Sequence, residues 1–473
     1  MRLTPVRIST LVLLLAGLLT ACGGTPPAAQ STSAPNATAA TAQPSTAAGT
    51  TTAAPTTDTE PTAILSSTAV VINLDNLPTT TTVTTTTAVT TTAAVTTTAA
   101  VTTTGEAFVF GMILVGPVND GGWNQAHYDA AKYVEAKVPG AKFIYIDKVN
   151  AADRPNVTTE QAIEELIAKG AKFVITNSAE FADGTDTAAL AHPDVYFLHA
   201  SGDKVLTGEA PKNVTNLMGR MEYGKMIAGC AAALQSEIGK IAYLGPLIDS
   251  ETRRLVNSAY LGAKYCWETY RAKPVDSLKF KVTWIGFWFN IPGVTLDPTK
   301  VATDFINEGY DAIISGIDTT EGIVEANKAT AAGKKIWAAP YDFKDACKQG
   351  EKVCLGVPYF NWGPRYVQII GDAQAGKFTS QWEWLAPDWT NINNPDTSIV
   401  GFLKGPALTA DSQTKIDEFI SKLADGSVNL YSGPLLYQDG TPFVAAGAKV
   451  DDKTLWNTQQ LLKGIEGQSA TAN

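Results

Sequence analysis

The stretch Gly116-Pro117-Val118-Asn119-Asp120-Gly121-Gly122-Trp123-Asn124 combines small residues, amide and carboxylate groups and one large aromatic ring. Glycines let a ligand approach the backbone, and Trp123 offers a flat face for stacking. Alone, the same residues also describe a Gly-rich turn with Asp120 as a helix cap and Trp123 in the core. Similar clusters follow other apolar runs: Ser178 and Phe181, then Trp288 and Phe289, then Gly316 and Asp318, then Asp342, then Asn361 and Trp362. Trp and Phe faces with Asp, Asn and Ser edges suit a planar, neutral heteroaromatic ring, because faces stack and edges give directional hydrogen bonds. A purine meets that description. A sugar, which also stacks on Trp and pairs with Asp and Asn, is the alternative.

The elements that must position these groups alternate in type. Short apolar strands are expected at Phe108–Val115, Lys142–Ile146, Phe173–Thr176, Val195–His199, Ile241–Leu244, Val282–Phe287, Ala312–Ser315 and Lys335–Ala339. Helical stretches separate most of them, at Ala126–Lys137, Glu160–Lys169, Tyr223–Gln235, Arg253–Tyr270, Thr303–Glu308 and Ile323–Ala332. Such βαβ winding builds parallel sheets, and this many units overfill one sheet. The expectation is an α/β fold of two lobes, each a doubly wound, mostly parallel sheet with flanking helices, joined by a hinge. Ligands in such sheets gather beyond the carboxyl ends of the strands, where the clusters lie. Phe289 reads equally as core, and Asp318 as a cap for the helix that follows it.

Catalysis is poorly supported. The chain has only three histidines, His127, His192 and His199, and no nucleophile–base constellation, phosphate-cradling loop or dinucleotide fingerprint accompanies them. Glu180 and Asp120 could pair as acids, but paired acids also bind sugars or purine amino groups without turnover. The formal net charge of −10, with no Lys/Arg cluster, argues against nucleic acid as a partner. Neither a cofactor nor a metal site is expected.

The beginning of the chain reads as an export signal. Arg2 and Arg7 precede an apolar run from Ile8 to Leu19, too short to span a bilayer comfortably. Leu19-Thr20-Ala21-Cys22 then resembles a bacterial lipoprotein cleavage site, which makes Cys22 the expected lipid-bearing residue and places the protein on the outer side of a membrane. Residues 23–105 collapse to Thr, Ala, Pro and Ser, which cannot build a core, so a disordered tether is expected. A flexible coil of that length spans about 50 Å. Its one apolar interruption, Ala63–Leu77, reads as a stray β-forming segment or an envelope contact. The soluble domain is expected over 106–473, ending in a disordered tail. Besides Cys22, four cysteines permit three disulfide pairings, of which Cys347 with Cys354 closes the shortest loop.

On the Gly116–Asn124 loop, the Val282–Asn290 stretch, the Asn361-Trp362-Gly363-Pro364 turn and the Ser432–Gly440 ending, the chain resembles the basic membrane protein family of solute-binding lipoproteins, of purine nucleoside receptor type. The likeness runs from Phe108 to about Gly440. It implies a two-lobed periplasmic-binding fold of type I that closes on a purine and delivers it, as a monomer, to the permease and ATPase subunits of an ABC importer. It implies that Trp123 stacks on one face of the base and Trp288 or Phe289 on the other, with Asn124 and Asp120 at the base edge. Ser178, Phe181 and Gly316 match further site positions, and Asp342 matches a carboxylate that binds ribose. Where such receptors place a lysine near the ribose, this chain has Asn361 and Trp362, resembling members that take free bases, with Trp362 in part of the sugar's space. A sugar receptor of the same fold and a ligand-sensing surface lipoprotein are the alternatives.

Overall fold

The computed structural model describes residues 106–470. The export signal, Cys22, the Thr-rich segment and Ala63–Leu77 all lie outside the described residues.

The first sheet holds six strands in the order β11-β5-β4-β3-β1-β2, all parallel. These are β1 (Phe108–Ile113), β2 (Ala141–Ile146), β3 (Phe173–Thr176), β4 (Tyr196–Ala200), β5 (Val214–Gly219) and β11 (Trp382–Leu385). Helices α1 (Trp123–Lys137), α2 (Thr159–Ala168), α3 (Ala182–Ala191) and the single turn α4 (Lys204–Thr207) follow successive strands. β3 is buried along its whole length, as a strand covered on both faces must be.

The second sheet runs β15-β7-β6-β8-β9, also parallel. Its strands are β6 (Lys240–Gly245), β7 (Lys279–Trp284), β8 (Ala312–Ser315), β9 (Trp337–Ala339) and β15 (Ile465–Glu466). An antiparallel pair, β10 (Gly356–Phe360) with β12 (Val400–Lys404), lies beside it, and β13 (Leu435–Leu436) pairs with β14 (Pro442–Val444). Helices α5 (Met221–Gln235), α6 (Ser250–Thr269), α7 (Pro298–Asn307), α8 (Glu321–Ala331), α10 (Ala410–Ala424) and α11 (Asp452–Trp456) belong to this lobe, whereas α9 (Gly363–Gln374) packs on α1 of the first. The chain therefore crosses between lobes after β5, after β10 and after β11.

Local signals explain where several helices begin. Thr158 with Gln161 and Asp249 with Thr252 form capping boxes at α2 and α6. Asp297 caps α7, whose first residue is Pro298. That cap moves the helix expected at Thr303–Glu308 forward, and β7 likewise lies earlier than the expected Val282–Phe287. Gly286, at φ 104°, turns the chain, so Phe287, Trp288 and Phe289 lie on a loop instead of a strand end. The expected disordered tail is built into the fold as far as Ala470, with β15 pairing on β7.

α5 and α6 touch backbone to backbone. A Cβ on Gly229 would fall 1.9 Å from the Ala259 carbonyl oxygen, and one on Gly262 would fall 1.9 Å from that of Met226. The Cys230–Cys266 disulfide, with Cα atoms 5.1 Å apart, joins the same two helices, and Cys347–Cys354 forms as the short-loop spacing suggests. On chain-entropy grounds a closure spanning 36 residues contributes about 4 kcal/mol and one spanning 7 about 2.5 kcal/mol. Replacing Cys230 and Cys266 together by Ala should lower the urea midpoint more than the same change at Cys347 and Cys354. Equal or reversed shifts would refute this ordering.

Candidate ligand-binding site

The two lobes together line a pocket at the carboxyl ends of their strands. The first lobe supplies Trp123 from the start of α1, Asn177, Ser178 and Ala179 after β3, and Ser201 after β4. The second supplies Tyr243 and Pro246, Glu251, Thr252 and Leu255 from α6, Trp288 after β7, Gly316 and Asp318 after β8, and Tyr341 and Asp342 after β9.

A chain of buried hydrogen bonds holds the first wall. Asp120 accepts from the backbone of Gly122, Asn124 and Gln125 and from the Asn124 amide, so its carboxyl anchors the start of α1. Asn124, fully buried, accepts from the Gly116 backbone at 3.1 Å and from the Asn177 amide at 2.9 Å. Asn177 in turn accepts from Val115 at 3.0 Å, tying the ends of β1 and β3 together. The Trp123 indole donates to the Asn177 carbonyl at 2.7 Å, which fixes the ring. Behind it, Trp362 is stacked between His127, 4.5 Å away, and Phe360, 4.6 Å away, and meets Trp123 edge-on at 5.4 Å.

On the opposite wall, Gly316 leaves room for Tyr243, whose ring would lie 2.4 Å from any Cβ there. Asp342 takes φ 68°, donates its backbone N–H to Pro358 and accepts from Phe360, so its side chain is set by β10. It is fully buried, and neither carboxyl oxygen has a partner among the described residues. Lys225 of α5, also fully buried, donates to the Ser315 carbonyl at 2.6 Å and lies 3.1 Å from the centre of the Tyr341 ring.

The electrostatics follow from burial. Loss of solvent pushes Asp318 and Asp342 well above the usual carboxylate range; Asp342, Asp120, Glu180 and Glu251 push Asp318 further up, while at Asp342 the Lys225 ammonium and the Tyr341 hydroxyl work against Asp120 and Glu251. Burial also lifts Glu251 to about 8 against the opposing Arg254 guanidinium. Lys225 is drawn well below its ordinary value by burial, with Asp342 and Glu251 opposing.

The lips of the cleft are in contact. A Cβ on Gly122 would fall 1.8 Å from the Asp318 carbonyl oxygen, and the Trp288 indole donates across the cleft to Glu180 at 3.0 Å. Phe289 packs edge-to-face on Phe287 and approaches Gly116.

Of the residues singled out in the sequence, Trp123, Ser178, Trp288, Gly316, Asp318 and Asp342 line the chamber. Asp120 and Asn124 do not, since their polar atoms are spent on the loop and helix start. Asn119 is exposed, and Phe181 and Phe289 are packed in the core. Asn361 binds the carbonyls of Pro395 and Ser398, linking two crossing segments. Trp362 stands edge-on behind Trp123 and is not among the residues lining the pocket. Glu251, Tyr243, Ser201 and Lys225 went unrecognised. Glu251 and Lys225 come from helices, Ser201 from a turn and Tyr243 from β6, and their approach depends on how the elements pack; the only local hint is Glu251 in the first turn of a capped helix.

Residues 107–380 match the Bmp family, described as ABC transporter substrate-binding protein PnrA-like. A purine-binding protein of Brucella abortus is 28% identical over 363 residues, covering 76% of this chain and 93% of its own. Among solved structures, an ABC transporter solute-binding protein of Aeropyrum pernix K1 superposes with a TM-score of 0.55 at 12% identity, covering 75% of this chain and 100% of that one. One from Conexibacter woesei gives 0.51 at 18% identity, covering 68% and 98%. These likenesses support the two-lobed fold.

Because the lips meet at Gly122, Gly122→Ala should hold the cleft open. Affinity for the ligand that binds the wild type should fall by more than about tenfold, about 1.4 kcal/mol, while the melting temperature of ligand-free protein changes by no more than about two degrees. Calorimetry with thermal melts checks this, and an unchanged affinity would show that closure tolerates the methyl group.

Proposed function

The chain belongs to the family of PnrA-like ABC transporter substrate-binding proteins, and from that premise we propose that it captures a purine nucleobase or nucleoside between its lobes. Membership makes it a binding protein, working on the outer side of the membrane, and not an enzyme. The observation that carries the purine reading is the chamber itself: Trp123 and Trp288 enter from opposite lobes, among hydrogen-bonding groups from Asn177, Ser178, Asp318 and Asp342. Flat rings offer faces to indoles and edges to amides and acids. The likeness to a purine-binding protein points the same way.

In this reading the lobes close by bending at the three crossings, and the closed form is presented to the permease of an ABC importer with its ATPase. Attachment through a lipid on Cys22 and action as a monomer belong to the same proposal.

The test is isothermal calorimetry on the full chain, stripped of ligand by unfolding and refolding. Adenine, guanine, hypoxanthine, their nucleosides and a panel of hexoses and pentoses are compared. Saturable heat from bases or nucleosides is the expected result, and heat from sugars alone would overturn the purine reading. Trp123→Ala and Trp288→Ala should each weaken binding by about 1 to 3 kcal/mol, the range for stacking a base on an aromatic ring. Full affinity in both variants would mean that the indoles do not hold the ring.

A further inference from the structure

Two indoles border the pocket, and the first lobe accepts the N–H of each. Trp123 donates to the Asn177 carbonyl at 2.7 Å within its own lobe, whereas Trp288 reaches across the cleft to a carboxyl oxygen of Glu180 at 3.0 Å. Glu180 follows β3 at the lip, and the Ser178 hydroxyl donates to its other oxygen. The Ser178 carbonyl lies 2.8 Å from a ring nitrogen of buried His199 and accepts from the Phe181 N–H at 3.0 Å. The acceptor that meets Trp288 is therefore held by contacts made wholly within the first lobe.

The other lobe anchors its side in the same manner. Trp288 stands on the loop after β7, and its carbonyl accepts from the Asp318 N–H at 2.9 Å. The Asp318 carbonyl is the group against which Gly122 closes, so both contacts across the lips come from one backbone-tied unit of the second lobe. The Trp288 ring itself is only half-buried, and rim packing alone leaves its side-chain torsions a choice of rotamers. An indole has a single donor, and bonding it to a fixed acceptor selects one ring plane. Resting on the purine reading above, we propose that Glu180 is a positioning residue of the site: its carboxyl fixes the Trp288 ring from the opposite lobe, so that the second stacking face is complete only when the cleft is shut, and breaking this bond is part of releasing the ligand.

Two consequences separate this role from an inert pair at the rim. A bond that joins the lobes exists only in the closed form, so it slows escape and leaves encounter with the open form alone. Its energy also depends on the indole N–H and not on the ring as such. Phenylalanine at the same place keeps an aromatic face but has no donor, which makes the two halves of the bond separable by substitution. With both N–H groups committed to the first lobe, Trp123 and Trp288 offer a ligand their faces alone.

The experiment follows binding and release of adenine, guanine, hypoxanthine, their nucleosides and the sugar panel by surface plasmon resonance on the immobilised full chain. Glu180→Ala and Trp288→Phe should each speed release of the bound purine by about three- to tenfold, the worth of one net hydrogen bond, with association within about twofold of wild type. In the Trp288→Phe background, Glu180→Ala should add less than about twofold, because its partner is already gone. Glu180→Gln keeps an acceptor oxygen and should release the purine within about twofold of the wild-type rate. In the purine-saturated full chain, the indole N–H resonance that Trp288→Phe deletes should move upfield in Glu180→Ala and stay near its wild-type position in Glu180→Gln. Unchanged release from Glu180→Ala, effects that multiply in the double variant, or a Gln variant as fast as Ala would overturn the inference while leaving the purine reading intact. Should sugars alone bind, the purine reading falls, and release of the bound sugar decides the role of Glu180: non-additive acceleration with rescue by Gln upholds it, and flat rates remove it.

Discussion

The chamber exists because two backbones meet where no side chain stands between them. Gly122, at the start of α1, lies against the carbonyl of Asp318 in the other lobe, at a separation that excludes even a methyl group. That contact sets how far the cleft can shut, and so fixes how much room is left beneath it. It also explains why the loop before α1 is so heavily bonded. A backbone used as a contact surface must itself be rigid, and Asp120, Asn124 and Asn177 spend their hydrogen-bonding capacity on that rigidity. The Trp288–Glu180 bond closes the same lip from the opposite side.

Support for the wall that carries Trp123 is layered. Trp123 faces the chamber, Trp362 stands edge-on behind it, and His127 and Phe360 clasp Trp362 from both sides. Phe360 ends β10 and Trp362 begins the crossing to α9, so the Trp123 wall rests on one of the crossings between lobes. Movement of the crossing and placement of Trp123 are thereby coupled through packed rings. On the far wall, α5 and α6 are pressed together by Gly229, Gly262 and a disulfide, which holds Lys225 and Glu251 at fixed positions beside Asp342.

Much of this was legible in the order of the amino acids alone. Apolar runs alternating with helical periods imply parallel sheets, and parallel sheets put their working residues at strand ends. Ser178, Gly316, Asp318 and Asp342 reach the chamber for that reason. Where the reading failed, the failure was one of competition for the same polar atoms. Asp120 and Asn124 have the right chemistry to read a base edge, yet the start of α1 and the ends of β1 and β3 claim them first. Trp362 has the right face for stacking but is enclosed by its own neighbours. Glu251, Tyr243 and Lys225 carried little local signal, because their place at the chamber is decided by how α5, α6 and the second sheet pack.

The three crossings have a consequence for the birth of the molecule. Neither sheet is drawn from one contiguous stretch: the first waits for β11 at Trp382–Leu385, and the second for β15 at Ile465–Glu466. A chain emerging from its N-terminus therefore lacks an edge strand of each lobe until most of it has appeared. Such interleaving delays cooperative folding of either half, and it leaves a long threadable polypeptide for as long as passage through a narrow channel would require one.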